Sequence, residues 1–248
     1  MAGALAKLAH RQWSDYRARE PGTCFADPNF VLDLPQAYDL QRAVSALRVA
    51  AGDRVVGYKV GCTGPGTVAQ FGMAGPIRGY LYENEIHRTG DTLERAAFAH
   101  LAIEGEMALR IGDDGEIAAA FPVIELHHFV FRAQRKTLVE LVANNGLNAG
   151  LVLPDEGWLS SRTHLARQAT LSVLVNDRVL GSSDLWPLPG GPNASLDWLR
   201  QHLAESGFAP MPGQIVLAGT PLGLYPVKSG DHIAVCIDAG LAAHCSIS

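Results

Sequence analysis

Apolar positions along this chain change period several times, and each change marks an element. Leu5, Leu8, Trp13 and Tyr16 fall on one helical face, which predicts a short amphipathic helix near the N-terminus. Asp33-Leu34-Pro35-Gln36 has the form of a helix start, with Asp33 as cap and Gln36 placed to complete a capping box. Ala37, Leu40, Val44 and Leu47 follow at helical spacing until Gly52. Arg54 to Val60 reads as a buried strand, and a loop rich in Gly and Pro runs from Gly61 to Gly79. Ile103 to Ile111 alternates as a strand up to the turn Gly112-Asp113-Asp114-Gly115, and Phe121 to Leu126 is a second, apolar strand. Lys136 to Asn144 is predicted helical, and Leu171 to Val175 with Val179 to Gly181 flank Asn176-Asp177-Arg178 as a hairpin. Ser195 to Ser206 aligns Leu196, Leu199 and Leu203 on one helical face and closes at Gly207. Ile215 to Leu217 and His232 to Ile237 complete the predicted strands.

Helices early and strands late favour an α+β arrangement over alternating βαβ units. No repeat or linker divides the chain. The expected organisation is one structural unit, with residues 1–52 as a helical N-terminal portion and 53–248 as a β-rich catalytic domain.

Composition narrows the function classes. Of 248 residues, 48% are hydrophobic and 18% charged, enough for a large core and too apolar for global disorder. Lys and Arg total 20 against 25 acids, a formal charge of -5 with no basic block, which argues against a nucleic-acid ligand. The longest charge-free stretch, Gly207 to Val227, contains four prolines and does not read as a membrane span. Cys24, Cys62, Cys236 and Cys245 form no CxxC pair and no signal peptide precedes them, so a reducing cytoplasmic setting is expected.

Three features could carry chemistry. Glu104 and Glu106, two apart on a strand, share a face, and Glu125 interrupts the apolar run Phe121 to Leu126. A carboxylate in such a run is expensive to bury unless it is paired or metal-bound, and three converging carboxylates suit a hard cation such as Mg²⁺ or Mn²⁺. Spacing alone leaves a solvated face open as well, with Arg110 on the same side. His127 has the parity to join Glu125 if its strand extends that far, whereas His128 does not. Lys59 lies between Gly57 and Gly61 at an apolar strand end: either a desolvated amine usable as acid or base near neutral pH, or a lysine whose ammonium reaches solvent. Gly64 to Ala69 fits G-x-G-x-x-A after a strand, but Pro65 and the later Gly72, Gly75 and Pro76 make it a weak dinucleotide loop.

In order and spacing, these residues resemble the 2-keto-4-pentenoate hydratase and 4-oxalocrotonate decarboxylase family of the fumarylacetoacetate hydrolase superfamily. The resemblance runs from Ala37-Tyr38-Asp39-Leu40-Gln41 through Gly57-Tyr58-Lys59-Val60-Gly61-Cys62-Thr63 and Gly79-Tyr80-Leu81-Tyr82. It continues in Ile103-Glu104-Gly105-Glu106-Met107-Ala108, Pro122-Val123-Ile124-Glu125, Val216 to Thr220 and Pro226 to Asp231. The chain departs from the family where His127-His128-Phe129-Val130 replaces a Ser-Arg pair, and where Asn144-Asn145-Gly146-Leu147 replaces D-N-A-S. The resemblance implies a mixed β-rich fold, and Mg²⁺ or Mn²⁺ on Glu104, Glu106 and Glu125. It implies Lys59 as the catalytic proton relay, and substrate contacts from Thr63, Gln70, Leu81, His127, Asn145 and Thr220. The implied activity is hydration of a 2-hydroxypenta-2,4-dienoate-type acid, as in aromatic compound degradation, by a homo-oligomer. The rivals are decarboxylation of a 4-oxalocrotonate-like acid, superfamily C–C bond hydrolysis with His87 or His100 as a partner, and a homologue that binds metal without turnover.

Overall fold

Asp33 sets the first well-defined boundary. In the computed structural model, which describes residues 2–64, 71 and 75–248, its carboxylate accepts from the Gln36 N–H at 2.8 Å and Gln36 Oε1 accepts from the Asp33 N–H at 2.9 Å. This capping box opens α2 (Leu34–Ala50), which packs on α1 (Ala2–Arg17). Removing one cap oxygen exposes an orphan N–H at the helix start, so Asp33→Ala is expected to lower stability by about 1 kcal/mol in urea denaturation. Buried Arg48 fastens α2 to the loop and strand beyond it, reaching Asp53 at 2.7 Å and Glu85 at 2.8 Å with its guanidinium 3.4 Å from the Tyr82 ring centroid.

Among the described residues, eight strands form one mixed sheet. Its order is β2 (Ile77–Tyr82), β1 (Val55–Gly61), β10 (Ile215–Leu217), β5 (Leu101–Ile111), β6 (Ile117–His128), β7 (Asn148–Leu153) and β3 (Ile86–Arg88), with β11 (Tyr225–Pro226) also on β5. A second sheet runs β4 (Thr92–Leu93), β13 (Gly240–Ile247), β12 (His232–Ile237), β8 (Thr170–Val175) and β9 (Arg178–Asp184). Among the described residues, three further α-helices, α3 (Leu138–Ala143), α4 (Glu156–Leu159) and α5 (Pro192–Ala204), accompany the sheets in an α+β fold. No helix among the described residues is long and apolar enough to cross a membrane.

Strand parity sorts the first sheet into two faces. Ile103, Met107, Leu109, Ile124 and Leu126 join Val173, Ile233 and Val235 of the second sheet in the main core. Gly105 permits this contact: a Cβ there would stand 2.2 Å from Val173 Cγ2 and 3.1 Å from Val235 Cγ2. The alternate residues face away from the second sheet, into a core of Leu81, Ala108, Phe121, Val123, Leu151 and Leu217. Lys59, Glu104, Glu106, Glu125 and His127 share that parity, as the pairings Lys59↔Leu217, Glu104↔Glu125 and Ala102↔His127 require. A further cluster packs α1 and α2 against α3, Ile77 and Leu147.

Several expected boundaries shift. The loop expected to reach Gly79 gives way to β2 at Ile77, and β3, β4, β7 and β13 were not anticipated. The strand β7 is buried on both faces and begins Asn148-Ala149-Gly150, so it shows neither alternation nor β-branched residues at its start. The helix expected over Lys136 to Asn144 is only Leu138–Ala143, capped by Thr137, and the one expected at Ser195 begins at Pro192, a residue that fits the first helical turn. The hairpin turn is two residues, Asn176 and Asp177, both at positive φ as a type I′ turn requires.

Candidate metal centre

The β5–β6 pairing places Glu104 directly opposite Glu125. The extension of β6 to His128 sets His127 on the same face, two residues beyond Glu125. Ligand atoms of Glu104, Glu125 and His127 all lie within 4.8 Å of one another. His127 Nε2 approaches Glu104 Oε2 at 3.3 Å and Glu125 Oε2 at 3.4 Å without meeting hydrogen-bond geometry. Glu106 is 1% exposed and Glu125 is fully buried, which excludes the solvated-face reading. Arg110 instead lies over the Phe121 ring, with its guanidinium carbon 5.7 Å from the centroid.

Lys59 crosses from β1 to close the group. Its ammonium donates to Glu125 Oε1 at 2.6 Å and to the Gly146 carbonyl at 3.2 Å. That carbonyl is aimed by a turn in which Asn145, Gly146 and Leu147 all adopt positive φ, a conformation disfavoured for Leu. Asn148, at the start of β7, donates to Glu125 Oε1 at 2.7 Å and is itself held by Gly150, so it orients the carboxylate. Asn148 was not among the residues expected from the sequence; the third amide in Asn144-Asn145-Gly146-Leu147-Asn148, it is not set apart by local pattern.

The charges are unbalanced. Burial alone would push Lys59 toward neutrality, but Glu125, Glu104 and Glu106 together raise it, so it is held as an ammonium. This corrects the expectation of a desolvated amine titrating near neutral pH, and equally of an ammonium reaching solvent, since Lys59 is only 3% exposed. Burial likewise opposes ionisation of Glu125, yet Lys59 and His127 bring it down to about 2. Burial and the Glu125 charge push Glu106 well above the carboxylate range, although Gly219 offers it a backbone hydrogen bond. His127 is raised: burial disfavours its charge, and Glu125 and Glu104 overcome that. Glu106 Oε1, Glu125 Oε2 and both His127 ring nitrogens are buried without a hydrogen-bond partner. Buried polar atoms left unpaired are costly, and a divalent cation held by Glu104, Glu125 and one His127 ring nitrogen, with Glu106 beside this group, would satisfy part of that set and offset the surplus charge. The donor set fits such an ion.

The remaining expected residues divide. Thr63 is buried against Gly219, and Thr220 Oγ1 donates to the Gly105 carbonyl at 2.7 Å, so both border the Glu106 side of the site. Leu81 shares the face but is fully buried among core residues and does not line the adjoining cavity. Asn145 spends its side chain on the Tyr80 main chain, accepting from its N–H at 2.7 Å and donating to its carbonyl at 2.9 Å. It therefore holds the turn rather than facing a ligand. Gln70 and most of the Gly64 to Ala69 loop lie outside the described residues. His128, on the opposite face, accepts from the Ala99 N–H. His100 is exposed and His87 borders a different cavity, so neither joins the centre as the C–C hydrolase expectation required. A cavity of about 210 Å³ opens beside Lys59, Glu104 and His127.

The fold is fumarylacetoacetate hydrolase-like. The 4-oxalocrotonate decarboxylase of Pseudomonas putida G7, solved with magnesium and adipate, superposes over the whole chain and 98% of its own with a TM-score of 0.88 at 21% identity. The fumarylpyruvate hydrolase of Pseudomonas aeruginosa, solved with Mn²⁺ and pyruvate, matches 77% of the chain and 88% of its own at a TM-score of 0.58 and 15% identity. No family model matches the chain. Curated relatives do, and they carry the two names the motifs suggested. A 2-keto-4-pentenoate hydratase of Burkholderia vietnamiensis is 26% identical over 83% of each chain. A 4-oxalocrotonate decarboxylase of Pseudomonas sp. is 26% identical over 80% of each. A hydratase of Dechloromonas aromatica is 26% identical over 95% of this chain and 92% of its own.

Proposed function

We propose that this chain is a divalent-metal-dependent hydratase of the cytoplasm that adds water to a 2-hydroxypenta-2,4-dienoate-type acid. The observation that carries the reading is the buried convergence of Glu104, Glu125 and His127, with Glu106 and the Lys59 ammonium beside them, at a cavity lined largely by apolar side chains. Glu104, Glu106, Glu125 and His127 would hold Mg²⁺ or Mn²⁺. The ion supplies a Lewis acid that polarises a 2-oxo group and offsets enolate charge.

The chain's own residues do the rest. Lys59, paired with Glu125 and aimed by the Gly146 carbonyl, relays a proton as the dienol ketonises: it gives one to the terminal carbon and regains one from the 2-hydroxyl, so that the ammonium is restored. Water then adds across the remaining alkene, with hydroxyl at C4 and hydrogen at C3, to give a 4-hydroxy-2-oxo acid. Asn148 keeps Glu125 oriented throughout, and the apolar cavity wall limits bulk water.

The equal similarity to relatives of both names motivates the second reading, decarboxylation of a 4-oxalocrotonate-like acid at the same residues. Turnover of the dienol with Mg²⁺ or Mn²⁺, followed by loss of its absorbance, is expected to yield the hydroxy acid without CO₂. Stoichiometric CO₂ from the dicarboxylic acid would establish the decarboxylase instead. Full activity in excess chelator would overturn the metal role, and metal binding without any turnover would mark a non-catalytic homologue.

A further inference from the structure

The cavity has two chemically different ends. Lys59, Glu104 and His127 form the polar end, whereas Phe71, Phe129, Phe131, Leu141, Leu147 and Leu224 make most of the rest of the described wall apolar. Phe129 and Phe131 pack edge to face, with centroids 6.1 Å apart at 89°. Phe129 lies in the segment His127 to Val130, where this chain departs from the Ser-Arg pair of the family it resembles, and Phe131 follows it directly.

The two rings are built in. The Val130 N–H donates to the His128 carbonyl at 2.8 Å. Just beyond Phe131, the buried Glu140 carboxylate accepts from the backbone N–H of Arg132 and, at 3.2 Å, of Ala133. Apart from the polar end, the only charge among the described lining residues is Lys136. Its ammonium, on an exposed side chain, lies 4.6 Å from the Phe129 centroid and 5.2 Å from that of Phe131, so the ring faces already engage it. A carboxylate entering this end would lose hydration among apolar side chains without a buried donor, whereas an alkyl or aryl group would gain from burial.

We propose that Phe129 and Phe131 select an apolar substituent, alkyl or aryl, at the end of the substrate remote from its 2-oxo acid head. This rests on the metal and 2-oxo acid reading above and adds the substrate class to it. The site would disfavour a second carboxylate.

The test is calorimetric binding to the Mg²⁺-saturated protein, which needs no turnover, with oxalate, pyruvate, 2-oxohexanoate, phenylpyruvate and 2-oxoadipate as probes. Affinity should rise from pyruvate to 2-oxohexanoate by about fourfold for each methylene buried, with 2-oxoadipate weaker than 2-oxohexanoate. Phe129→Ala and Phe131→Ala should each remove at least about tenfold of the gain for phenylpyruvate while leaving pyruvate within about twofold. Lys136→Met should leave the ranking unchanged. Equal affinity for all the 2-oxo acids would overturn the proposal. So would tighter binding of 2-oxoadipate that Lys136→Met abolishes, which would assign a distal-carboxylate site. These outcomes leave the head-group reading intact if oxalate and pyruvate bind. Loss of oxalate and pyruvate binding as well would overturn both.

Discussion

Glu106→Gln is expected to lower turnover by about 10²–10³-fold and to weaken divalent-cation binding, while making the metal-free protein more stable rather than less. The opposite signs follow from the site. Glu106 is 1% exposed, its Oε1 has no hydrogen-bond partner, and burial and Glu125 both oppose its ionisation. Glutamine keeps the shape and removes the cost of suppressing a carboxyl ionisation that the unfolded chain makes freely. A carboxylate that served only the fold would reveal itself differently, because its removal would lower stability. Denaturation in chelator, calorimetric Mg²⁺ titration and a turnover assay measure the three effects. A loss of metal-free stability with unchanged cation affinity would remove Glu106 from the metal centre.

Lys59→Met carries the second large effect, on stability. The ammonium sits in the only ion pair with Glu125 among the described Lys and Arg residues, and both partners are buried. Breaking a buried pair leaves the other charge uncompensated, at a cost of about 3–5 kcal/mol. Glu125 is depressed to about 2 in the folded chain. Its contribution is thus complete above the ordinary glutamate range near about 4.3 and is lost as pH falls from there toward 2. In Lys59→Met that depression is largely gone, so acid unfolding should begin at higher pH than in the parent protein. Mg²⁺ at a hundredfold excess over its dissociation constant stabilises a protein that binds it by about 2.7 kcal/mol, and the cost of Lys59→Met should shrink as far as the variant, having lost a competing cation, binds the ion more tightly than the parent. Urea denaturation with and without Mg²⁺ checks this, and a cost unaffected by Mg²⁺ would mean that the cation does not share the Lys59 charge environment.

The elements most legible in the sequence are those with local causes. The Asp33–Gln36 box, the Asn176-Asp177 turn and the leucine face of α5 each require only residues a few positions apart, and each formed close to where the pattern placed it. Boundaries failed where neighbours far along the chain decide. The strand β2 contains Gly79 and resembles a loop until its pairing with β1 is known, and β7 is buried on both faces and so has no alternating signature. The carboxylates stood out for a related reason, because Glu125 within an apolar strand violates the pattern and needs a partner.

What the chain could not reveal was the identity of those partners. Period two in β5 and β6 is enough to put Glu104 and Glu106 on one face and Glu125 and, conditionally, His127 on another. It could not make those faces the same one, since that depends on the register Glu104↔Glu125. The left-handed turn that aims the Gly146 carbonyl, the Asn148 hydrogen bond to Glu125 and the ion pair that keeps Lys59 charged all join residues 23 to 87 positions apart. The sequence by itself determined which groups would be costly to bury. Only the tertiary structure decided how they are compensated, because both the attraction and the desolvation depend on distance and burial rather than on order along the chain.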